Sequence, residues 1–363
     1  MKITLKNTPE QVELVKAMAS RNRDVAYEAQ TALAEFIGPV LSEVINQAPA
    51  LSNLFTTLQY NADDNPSIPL DLYFDVADED YIQVFSQSRA GGLPTSEVLP
   101  TSSELKIATY SLDSAVSFDR RYAAKSRMDV VAKTMTRVAQ EILLKQNTIS
   151  ANVVLSALAN ASTGGTSHLL SSATVDKFTL ADLNAMLTKS KRIVTSFAGG
   201  TPDARQGKGI TDIIVSPEIV ENLRAIAYQP LSTGVPNASV IAEDAYKAAG
   251  APQFYGINVI ELNEMGVSQK FNSLFTAAAT TASITPAHSA SAFVDADDEL
   301  VLGIDRTRES LIRPVAVDAE NGGEFNLIAD DQYSIRQNKI GYFGSLEEGR
   351  VVLDNRALVG VVV

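Results

Sequence analysis

The longest helical pattern in the chain runs from Asp119 to Ala159 and contains neither glycine nor proline. Its apolar residues recur every three or four positions, which places them on one face of a helix. At about 1.5 Å per residue the helix would be about 60 Å long, far beyond the usual three turns. We predict a strut that carries separate modules; a long bundle helix or a coiled coil is the alternative. The apolar positions are Met128, Val131, Met135, Val138, Ile142, Ile149 and Val153.

The first 50 residues form an arm that also has a helical pattern. Thr8-Pro9-Glu10-Gln11 is typical of a helix start, because it combines a hydroxyl cap, proline at the first position and glutamine at the capping-box position. Gly38-Pro39 should end that helix, and a short second helix should follow. The arm has little core of its own, so it would need a partner in this chain or another.

Residues 51–118 change to a β pattern. Tyr81–Phe85 and Leu105–Tyr110 predict strands, and a polar stretch with glycine and proline lies between them. This predicts a long hairpin with its tip near Ala90–Pro94. Such a hairpin is marginally stable alone and should lean on something else.

The hairpin is acidic and the strut is basic. Acids far outnumber bases between Asn61 and Lys106, whereas bases outnumber acids between Asp119 and Lys145. Complementary charged patches guide association and register more than they add affinity. The alternative is that both are simply solvated surfaces.

After the strut, helix and strand patterns alternate. Thr179 can cap a helix from Leu180 to about Val194, and Ile210–Val215 predicts a buried strand. Ser216-Pro217-Glu218 then forms a strong helix start. Residues 275–293, rich in Ala, Ser and Thr, predict an exposed loop or a weak strand. Further strands are predicted at Gly256–Leu262, Glu299–Gly303, Ser310–Val317, Tyr333–Phe343 and Arg350–Val363.

Composition narrows the function classes. The chain has 363 residues, of which 45% are apolar and 20% charged, as in a folded protein of about two domains. It has no cysteine, which excludes disulfides, thiolate metal sites and a cysteine nucleophile. The start shows no apolar signal-peptide core, and no apolar run has the length of a membrane span. The net charge of -13 disfavours general DNA binding, which needs bases to neutralise phosphates.

No motif points to catalysis. His168 and His288 lie in segments rich in Ser, Thr and Ala, where a lone histidine is rarely catalytic. Gly207-Lys208 lacks the first glycine and the Ser/Thr of a phosphate-binding loop. Residues 295–299 resemble a calcium loop, but leucine follows where the sharp turn needs glycine. We therefore expect no enzyme, no cofactor and no metal site.

The order of these parts resembles the major capsid protein of tailed bacteriophages, with the Hong-Kong-97-type shell fold. The segment TDIIVSPEIVENLRAIA is similar to the one that opens the axial domain in such proteins. The resemblance covers nearly the whole chain. It implies an α+β fold with an N-terminal arm, a long extended hairpin loop, a long spine helix, a peripheral β-rich domain and an axial α/β domain. The implied boundaries are 1–50 for the arm, 51–118 for the extended loop with its flanking strands, 119–198 for the peripheral domain with the spine, 199–305 for the axial domain and 306–363 for the return to the peripheral sheet.

The resemblance also implies a function. The chain would be a structural subunit that self-assembles as hexamers and pentamers into an icosahedral or prolate virion head, built in the host cytoplasm. The head would enclose double-stranded DNA without specific binding. Implied partners are further copies of the chain, a portal protein, a scaffolding protein and a cement or decoration protein, with no membrane. Because only about 50 residues precede the loop, we expect no cleaved prodomain. No lysine lies between Lys16 and Lys106, so we expect no lysine–asparagine crosslink.

In this resemblance the acidic hairpin gains a partner. We hypothesise that the hairpin of one subunit lies over the peripheral domain of the next, where its acids meet the basic spine. Repeated weak contacts suit a closed shell, because each subunit makes several at once. The candidate assembly contacts are Asp78, Glu79, Asp80, Arg89 and Glu97 in the hairpin, and Arg120, Arg121, Lys125, Arg127, Lys133 and Arg137 in the spine.

Two alternatives stay open. An encapsulin-like compartment would share the fold and hold protein cargo, although the long hairpin and the arm fit a virion better. A soluble α/β enzyme with a hairpin lid would instead show a pocket with converging titratable groups and form a small oligomer. A fibre or sheath component would want internal repeats, which the sequence lacks.

Overall fold

The computed structural model of the chain describes residues 8–47, 51–61, 65–69, 104–125, 127–163, 166–193, 209–228, 253–254, 256–282, 293–317, 324–330 and 337–363. The helices are α1 Pro9–Ala17, α2 Arg23–Gln47, α3 Arg120–Ala124, α4 Met128–Ala159, α5 Leu180–Ile193, α6 Pro217–Tyr228 and α7 Lys270–Ala282. The strands are β1 Thr56–Asn61, β2 Ser67–Pro69, β3 Glu104–Lys106, β4 Thr109–Asp119, β5 Ser162–Thr163, β6 Thr166–Ser167, β7 Leu169–Ser171, β8 Asp212–Val215, β9 Gln253–Phe254, β10 Ile257–Glu261, β11 Leu300–Ile304, β12 Leu311–Val317, β13 Asn326–Asp330, β14 Lys339–Gly349, β15 Val351–Val352 and β16 Leu358–Val362.

The chain divides into two compact units, each built from separated segments. Within the described residues, helix α4 leaves the first unit after Ser150 and continues in the second. Both units combine helices with a sheet, so the predicted α+β fold class is confirmed. Unit 1 draws on Met1–Pro66, Ile107–Ser150 and Ile312–Arg350, and unit 2 on Ser67–Lys106, Ala151–Leu311 and Val351–Val363.

Unit 1 is built on a sheet in the order β1-β12-β14-β13. Strand β4 runs antiparallel to β14 along its whole length, from Thr109 opposite Gly349 to Asp119 opposite Lys339. Helix α4 buries the predicted apolar face from Val131 to Ile142 in the core of this unit, whereas the predicted positions Ile149 and Val153 are only half-buried. The buried α4 residues in this core are Val131, Met135, Val138, Ala139 and Ile142.

The N-terminal arm finds its partner within unit 1. Val15, Met18 and Leu33 are buried in the same core as the α4 face. The hydroxyl of Tyr342 donates to the sulfur of Met18 at 3.2 Å, and the Tyr342 ring stacks on Phe118 with centroids 6.3 Å apart. The arm is therefore part of the core of unit 1.

Helix α2 continues through Gly38-Pro39, so the predicted break there is wrong. A proline restricts the residue before it through a clash with that residue's Cβ, and glycine has none. Pro39 itself is exposed. The buried residues Leu33, Ile37 and Leu41 keep one apolar face on both sides of the proline, and this packing outweighs the lost backbone bond.

Unit 2 is built on a sheet in the order β7-β16-β11-β8-β10-β9. Strands β8 and β10 are parallel, and β11 runs antiparallel to β8. The predicted start of α6 is confirmed, because the hydroxyl oxygen of Ser216 accepts from the backbone N–H of Ile219 at 3.2 Å. Helices α5 and α6 cover this sheet, with Met186, Ile219 and Leu223 in its core.

The final strand departs from the predicted return of 306–363 to the peripheral sheet. Strand β16 pairs with β11 and β7 in the sheet of unit 2. All five of its residues are buried, as expected for a strand with neighbours on both sides. Helix α5, predicted within the peripheral segment 119–198, also packs into the core of unit 2.

Two helical predictions also need correction. The predicted strut from Asp119 is interrupted, since α3 ends at Ala124 and α4 begins at Met128. Helix α7 occupies part of the segment 275–293, which was expected to be a loop or a weak strand. Its first half buries Phe271 and Phe275 one turn apart, and this packing overrides the weak local pattern.

Among the helices in the described ranges, none combines the length and the hydrophobicity that a membrane crossing requires.

Replacing Pro39 by alanine should stabilise unit 1 by about 1–3 kcal/mol, because alanine restores a backbone donor and removes the ring from the helix interior. Urea unfolding of the unassembled chain, followed by circular dichroism, measures the change. Glu35→Ala is the matched control, since Glu35 is also exposed on α2, and it should change stability by less than about 0.5 kcal/mol. An unchanged or lower stability for Pro39→Ala would contradict this account of the helix.

Candidate assembly surfaces and a buried charge cluster

The predicted hairpin contacts cannot be placed, because Asp78, Glu79, Asp80, Arg89 and Glu97 lie outside the described residues, as does the predicted strand Tyr81–Phe85. The base of the hairpin is described. Strand β2 pairs antiparallel with β3, with Ser67 opposite Lys106 and Pro69 opposite Glu104. The predicted strand Leu105–Tyr110 falls partly in β3 and partly in β4.

The spine residues Lys133 and Arg137 lie one turn apart on the exposed face of α4. Leu144, two turns further along the same face, has 48% of its surface exposed. We call this set the spine stripe: Lys133, Arg137 and Leu144. A basic surface with an exposed leucine at its end suits contact with an acidic segment that also carries apolar side chains.

The other predicted spine bases lie at the start of the helical region. Lys125 and Arg127 are exposed between α3 and α4, and Arg120 is half-buried. The Nη2 atom of Arg121 lies 3.0 Å from Asp119 Oδ2, and the backbone N–H of Arg121 donates to Asp119 Oδ1 at 2.9 Å. This arginine and these hydrogen bonds lower the pKa of the Asp119 carboxyl. Arg121 therefore already serves the cap of α3.

A second exposed surface was missed by the sequence analysis. Val25, Phe36 and Val40 lie along one side of α2, and Phe36 has 55% of its surface exposed. We call these three residues the arm stripe. The three residues recur with the helical period and lie next to the buried face of α2. In the sequence, the sign of this surface is that α2 has more apolar positions than one buried face requires.

The most deeply buried charges of unit 1 converge on Glu348, which is fully buried in β14. Arg313 Nε donates to Glu348 Oε2 at 2.6 Å, and Arg350 Nη2 donates to Glu348 Oε1 at 3.1 Å. Glu324 adds a second carboxylate 4.0 Å from Arg313. Two carboxylates thus face two arginines, which balances charge where an unpaired ion would be very costly.

Neutral side chains complete the coordination of Glu348. The Tyr110 hydroxyl donates to Oε1 at 2.8 Å, and Gln146 Nε2 donates to Oε2 at 3.0 Å. Tyr110 belongs to β4 and Gln146 to α4, so one carboxylate joins the sheet to the spine helix. We call this set the charge cluster: Glu348, Arg313, Arg350, Gln146 and Tyr110.

The charge cluster also fixes the segment that follows the arm. Arg350 Nη1 donates to the backbone carbonyl of Ser52 at 3.2 Å, and its guanidinium lies 5.1 Å from the centre of the Phe55 ring. The backbone N–H of Leu51 donates to Asn147 Oδ1 at 3.0 Å. Residues 51–55 are therefore held by Arg350 of the charge cluster together with Asn147 of α4.

Burial and charge act in opposite directions on the pKa of Glu348. Desolvation raises the pKa, but Arg350, Arg313 and the hydrogen bonds outweigh it, so the pKa lies below its ordinary value. The pKa of Tyr110 is raised, first by burial and then by the charge of Glu348. Glu348 is therefore ionised at neutral pH, and Tyr110 keeps the proton of its hydrogen bond to Glu348.

The sequence carried one signal of this cluster. The apolar stripe of α4 reaches Ile142, and the next positions in phase are the polar residues Gln146 and Ser150, both buried. Polar residues in phase with a buried face call for polar partners. Nothing local identifies Glu348 as that partner, since it lies 202 positions away along the chain.

Among the described residues, two of the side chains considered for catalysis or metal binding, His168 and Asp298, form hydrogen bonds with the backbone. His168 is fully buried in unit 2, and its Nδ1 lies 3.1 Å from the carbonyl of Leu358 and 3.2 Å from that of Asn355. Burial lowers its pKa. Asp298 Oδ2 accepts from the backbone N–H of Val294 at 2.8 Å, so it closes its own loop. Within the described ranges no group of three or more acidic or histidine side chains could hold a metal ion. His288 and Gly207-Lys208 lie outside those ranges.

No protein-family model matches the chain, and no curated protein matches it. Solved structures of similar fold include the mature capsid of bacteriophage PhiM1, which is 9% identical, with 86% of each chain covered and a TM-score of 0.49. The capsid of the native GTA particle is 11% identical over 86% of this chain and 89% of that one, with a TM-score of 0.49. The SrpI encapsulin complex from Synechococcus elongatus PCC 7942 is 12% identical over 87% of each chain, with a TM-score of 0.45. At these identities the likeness concerns the fold alone.

Glu348→Gln should lower the free energy of unfolding at pH 7 by about 3–5 kcal/mol, because it leaves two buried arginines without their shared charge. Since the pKa of Glu348 is depressed in the folded state, its contribution is present above about pH 4.3 and is lost as the pH falls further. The difference between the two proteins should therefore shrink on acidification. Unfolding of the unassembled chain at pH 7 and about pH 3.5 measures both effects.

Glu347→Gln is the matched control, because Glu347 is the next residue of β14, is only half-buried, and accepts a hydrogen bond from Tyr60 at 3.1 Å. It should cost about 1 kcal/mol or less. Equal effects of the two substitutions would show that the charge cluster has no special weight.

Proposed function

We propose that the chain is the structural subunit of a closed protein shell, the major capsid protein of a tailed-bacteriophage head. In this proposal copies of the chain assemble as hexamers and pentamers around double-stranded DNA, in the virion. Portal, scaffolding and cement proteins are its further partners. Its work is mechanical, and it needs no catalytic centre.

The order of the described elements carries this proposal. A helical arm comes first, the paired strands β2 and β3 follow and bracket residues 70–103, and the long helix α4 comes next. Strands β7 to β11 of unit 2 then precede the return of the chain to β12, β13 and β14 of unit 1, and of the strands described after that return only the last, β16, comes back to the sheet of unit 2. This is the order of arm, extended loop, spine, inserted domain and return that the resemblance implies.

The exposed surfaces support association between copies. The spine stripe exposes basic side chains, and the arm stripe exposes apolar side chains. Exposed apolar side chains on one helix side are typical of a surface that binds another protein. Both surfaces belong to unit 1, whose interior is fixed by the charge cluster. A rigid subunit with several surfaces that each bind weakly suits a shell, because each subunit makes many contacts at once.

The purified chain should form capsomers or closed shells. Size-exclusion chromatography with light scattering, followed by negative-stain microscopy at two salt concentrations, tests this directly. Nuclease-protected DNA in particles from expressing cells would favour a virion head, and co-purifying protein would favour an encapsulin-like compartment. A monomer or dimer at high concentration, with or without a scaffolding protein, would contradict the proposal.

The spine stripe should contribute to assembly through charge. Lys133→Glu with Arg137→Glu should raise the critical concentration for assembly about tenfold or more at low salt, because like charges then face the neighbour's acidic loop. The same double variant with Asp78→Lys, Glu79→Lys and Asp80→Lys should regain assembly. Light scattering against protein concentration measures both.

Salt and a matched variant provide the controls. Wild-type assembly should weaken towards about 1 M salt, where the Debye length falls to about 3 Å. Lys16→Glu, an exposed reversal on α1, should leave the critical concentration unchanged. Assembly that ignores salt, or a triple acid reversal that fails to rescue, would exclude the contact between loop and spine.

A further inference from the structure

The sheet of unit 2 has two ends that differ in charge. Strands β8 and β10 are parallel, and β11 runs antiparallel to β8, with Leu302 opposite Ile214 and Ile304 opposite Asp212. The ends of β8 and β10 and the start of β11 therefore meet at one edge of the sheet. The starts of β8 and β10 and the end of β11 meet at the opposite edge.

The first edge is acidic. Glu218 opens α6 directly after β8, Glu261 ends β10, and Asp297 precedes β11; all three are exposed. A backbone hydrogen bond of 2.6 Å from Ser268 to Asp295 joins the two loops of this edge. Lys270 is the basic residue described at this edge. We call the set Glu218, Glu261, Glu264, Asp295 and Asp297 the acidic edge.

The acidic edge also exposes apolar surface. Val267 and Val294 have 40% and 43% of their surface exposed, and each immediately precedes one member of the hydrogen-bonded pair Ser268 and Asp295. Two exposed valines on adjoining loops, surrounded by carboxylates, form a small apolar centre with a charged rim. This is the composition of a contact surface between proteins.

The opposite edge is basic. Lys191, at the end of α5, packs beside Gly209, shortly before β8. The Cγ of Lys191 lies 3.4 Å from the position that a Cβ on Gly209 would occupy. Arg306 follows β11, and its backbone N–H donates to the hydroxyl of Thr211 at 3.0 Å. Lys191 and Arg306 are exposed. The acids described there are Asp212 and Asp305, which are both buried, Glu309, which is exposed, and Asp354, which pairs with Arg308 and Arg356. We call the set Lys189, Lys191, Arg192 and Arg306 the basic edge.

A groove along α5 leads to this edge. Lys189 and Arg192 line it near the end of α5, at this edge, and the rest of its lining is Leu170, Ala181, Asn184, Ala185 and Thr188. Small side chains leave room for a partner to approach the helix closely. The basic edge, with the groove that leads from it, thus complements the acidic edge in charge.

We propose that the acidic edge of unit 2 in one copy binds the basic edge of unit 2 in the next copy. The contact is head-to-tail, because the two surfaces differ and lie at opposite ends of the same sheet. A head-to-tail contact repeated by a rotation that closes produces a ring. The inference rests on the proposed function, for which it supplies the contact that forms hexamers and pentamers.

Charge reversal of each edge tests the pairing. Variant A carries Lys191→Glu and Arg306→Glu and has acids at both edges, whereas variant B carries Glu261→Lys and Asp297→Lys and has bases at both. Each variant alone should fail to form rings at concentrations at least about tenfold above the wild-type threshold, since every contact joins like charges. The substituted side chains are exposed, and circular dichroism and the thermal midpoint should match the wild type.

An equimolar mixture of A and B makes the test specific. In a ring that alternates A and B every contact joins opposite charges, but a ring with an odd number of subunits must contain one like-charged contact. The mixture should therefore form hexamers with equal numbers of A and B, visible by native mass spectrometry, and no pentamers. Lys16→Glu with Lys177→Glu, two exposed reversals away from both edges, should assemble like the wild type.

The outcomes separate the two proposals. If A and B each assemble like the wild type, or if the mixture fails while the wild type forms rings, the pairing of the edges is wrong and the shell function stands. If the wild-type chain forms neither rings nor shells with or without a scaffolding protein, the proposed function itself fails, and the edge contact fails with it.

Discussion

Glu348 is the residue on which unit 1 depends, because one fully buried carboxylate accepts hydrogen bonds from a neighbouring strand, from the spine helix and from two arginines. A buried carboxylate is stabilised only when all of its hydrogen-bond partners are correctly placed. An unpaired buried ion costs far more than a paired one contributes, so the cluster selects a single arrangement of the elements that surround it. Through Arg350 that arrangement extends to the backbone of Ser52. The cluster therefore fixes the relative positions of β4, β14, α4 and Ser52 more closely than non-directional hydrophobic contacts could.

How far the fold could be predicted follows from how local each signal is. The apolar face of α4 from Val131 to Ile142 and the Ser216-Pro217-Glu218 start of α6 depend on spacing and capping within a few residues, and both predictions are confirmed. The placement of β16 depends on its neighbours, because an all-apolar run such as LVGVV fits the interior of either sheet equally well. The helix continues through Gly38-Pro39 because of tertiary packing, which helix propensities of single residues do not include.

The candidate surfaces were predictable to a similar degree. Bases at Lys133 and Arg137 follow from helical phase, so their exposure could be foreseen. The arm stripe could not be separated from the core, because Phe36 and Ile37 are both apolar and only the fold decides which is buried. The charge cluster pairs Gln146 with a strand far away in sequence, and a single sequence carries no record of such pairings.

Net charge constrains how copies of this chain can meet. With a net charge of -13, two copies repel each other at long range. Attraction must therefore come from short-range contacts, either between apolar surfaces such as the arm stripe or between acids and places where bases are concentrated on the surface. The spine stripe in unit 1 and the basic edge in unit 2 are two of them. In the proposed contacts each would face a different acidic surface of a neighbouring copy. General repulsion could then coexist with specific contact, because wrong orientations bring like charges together.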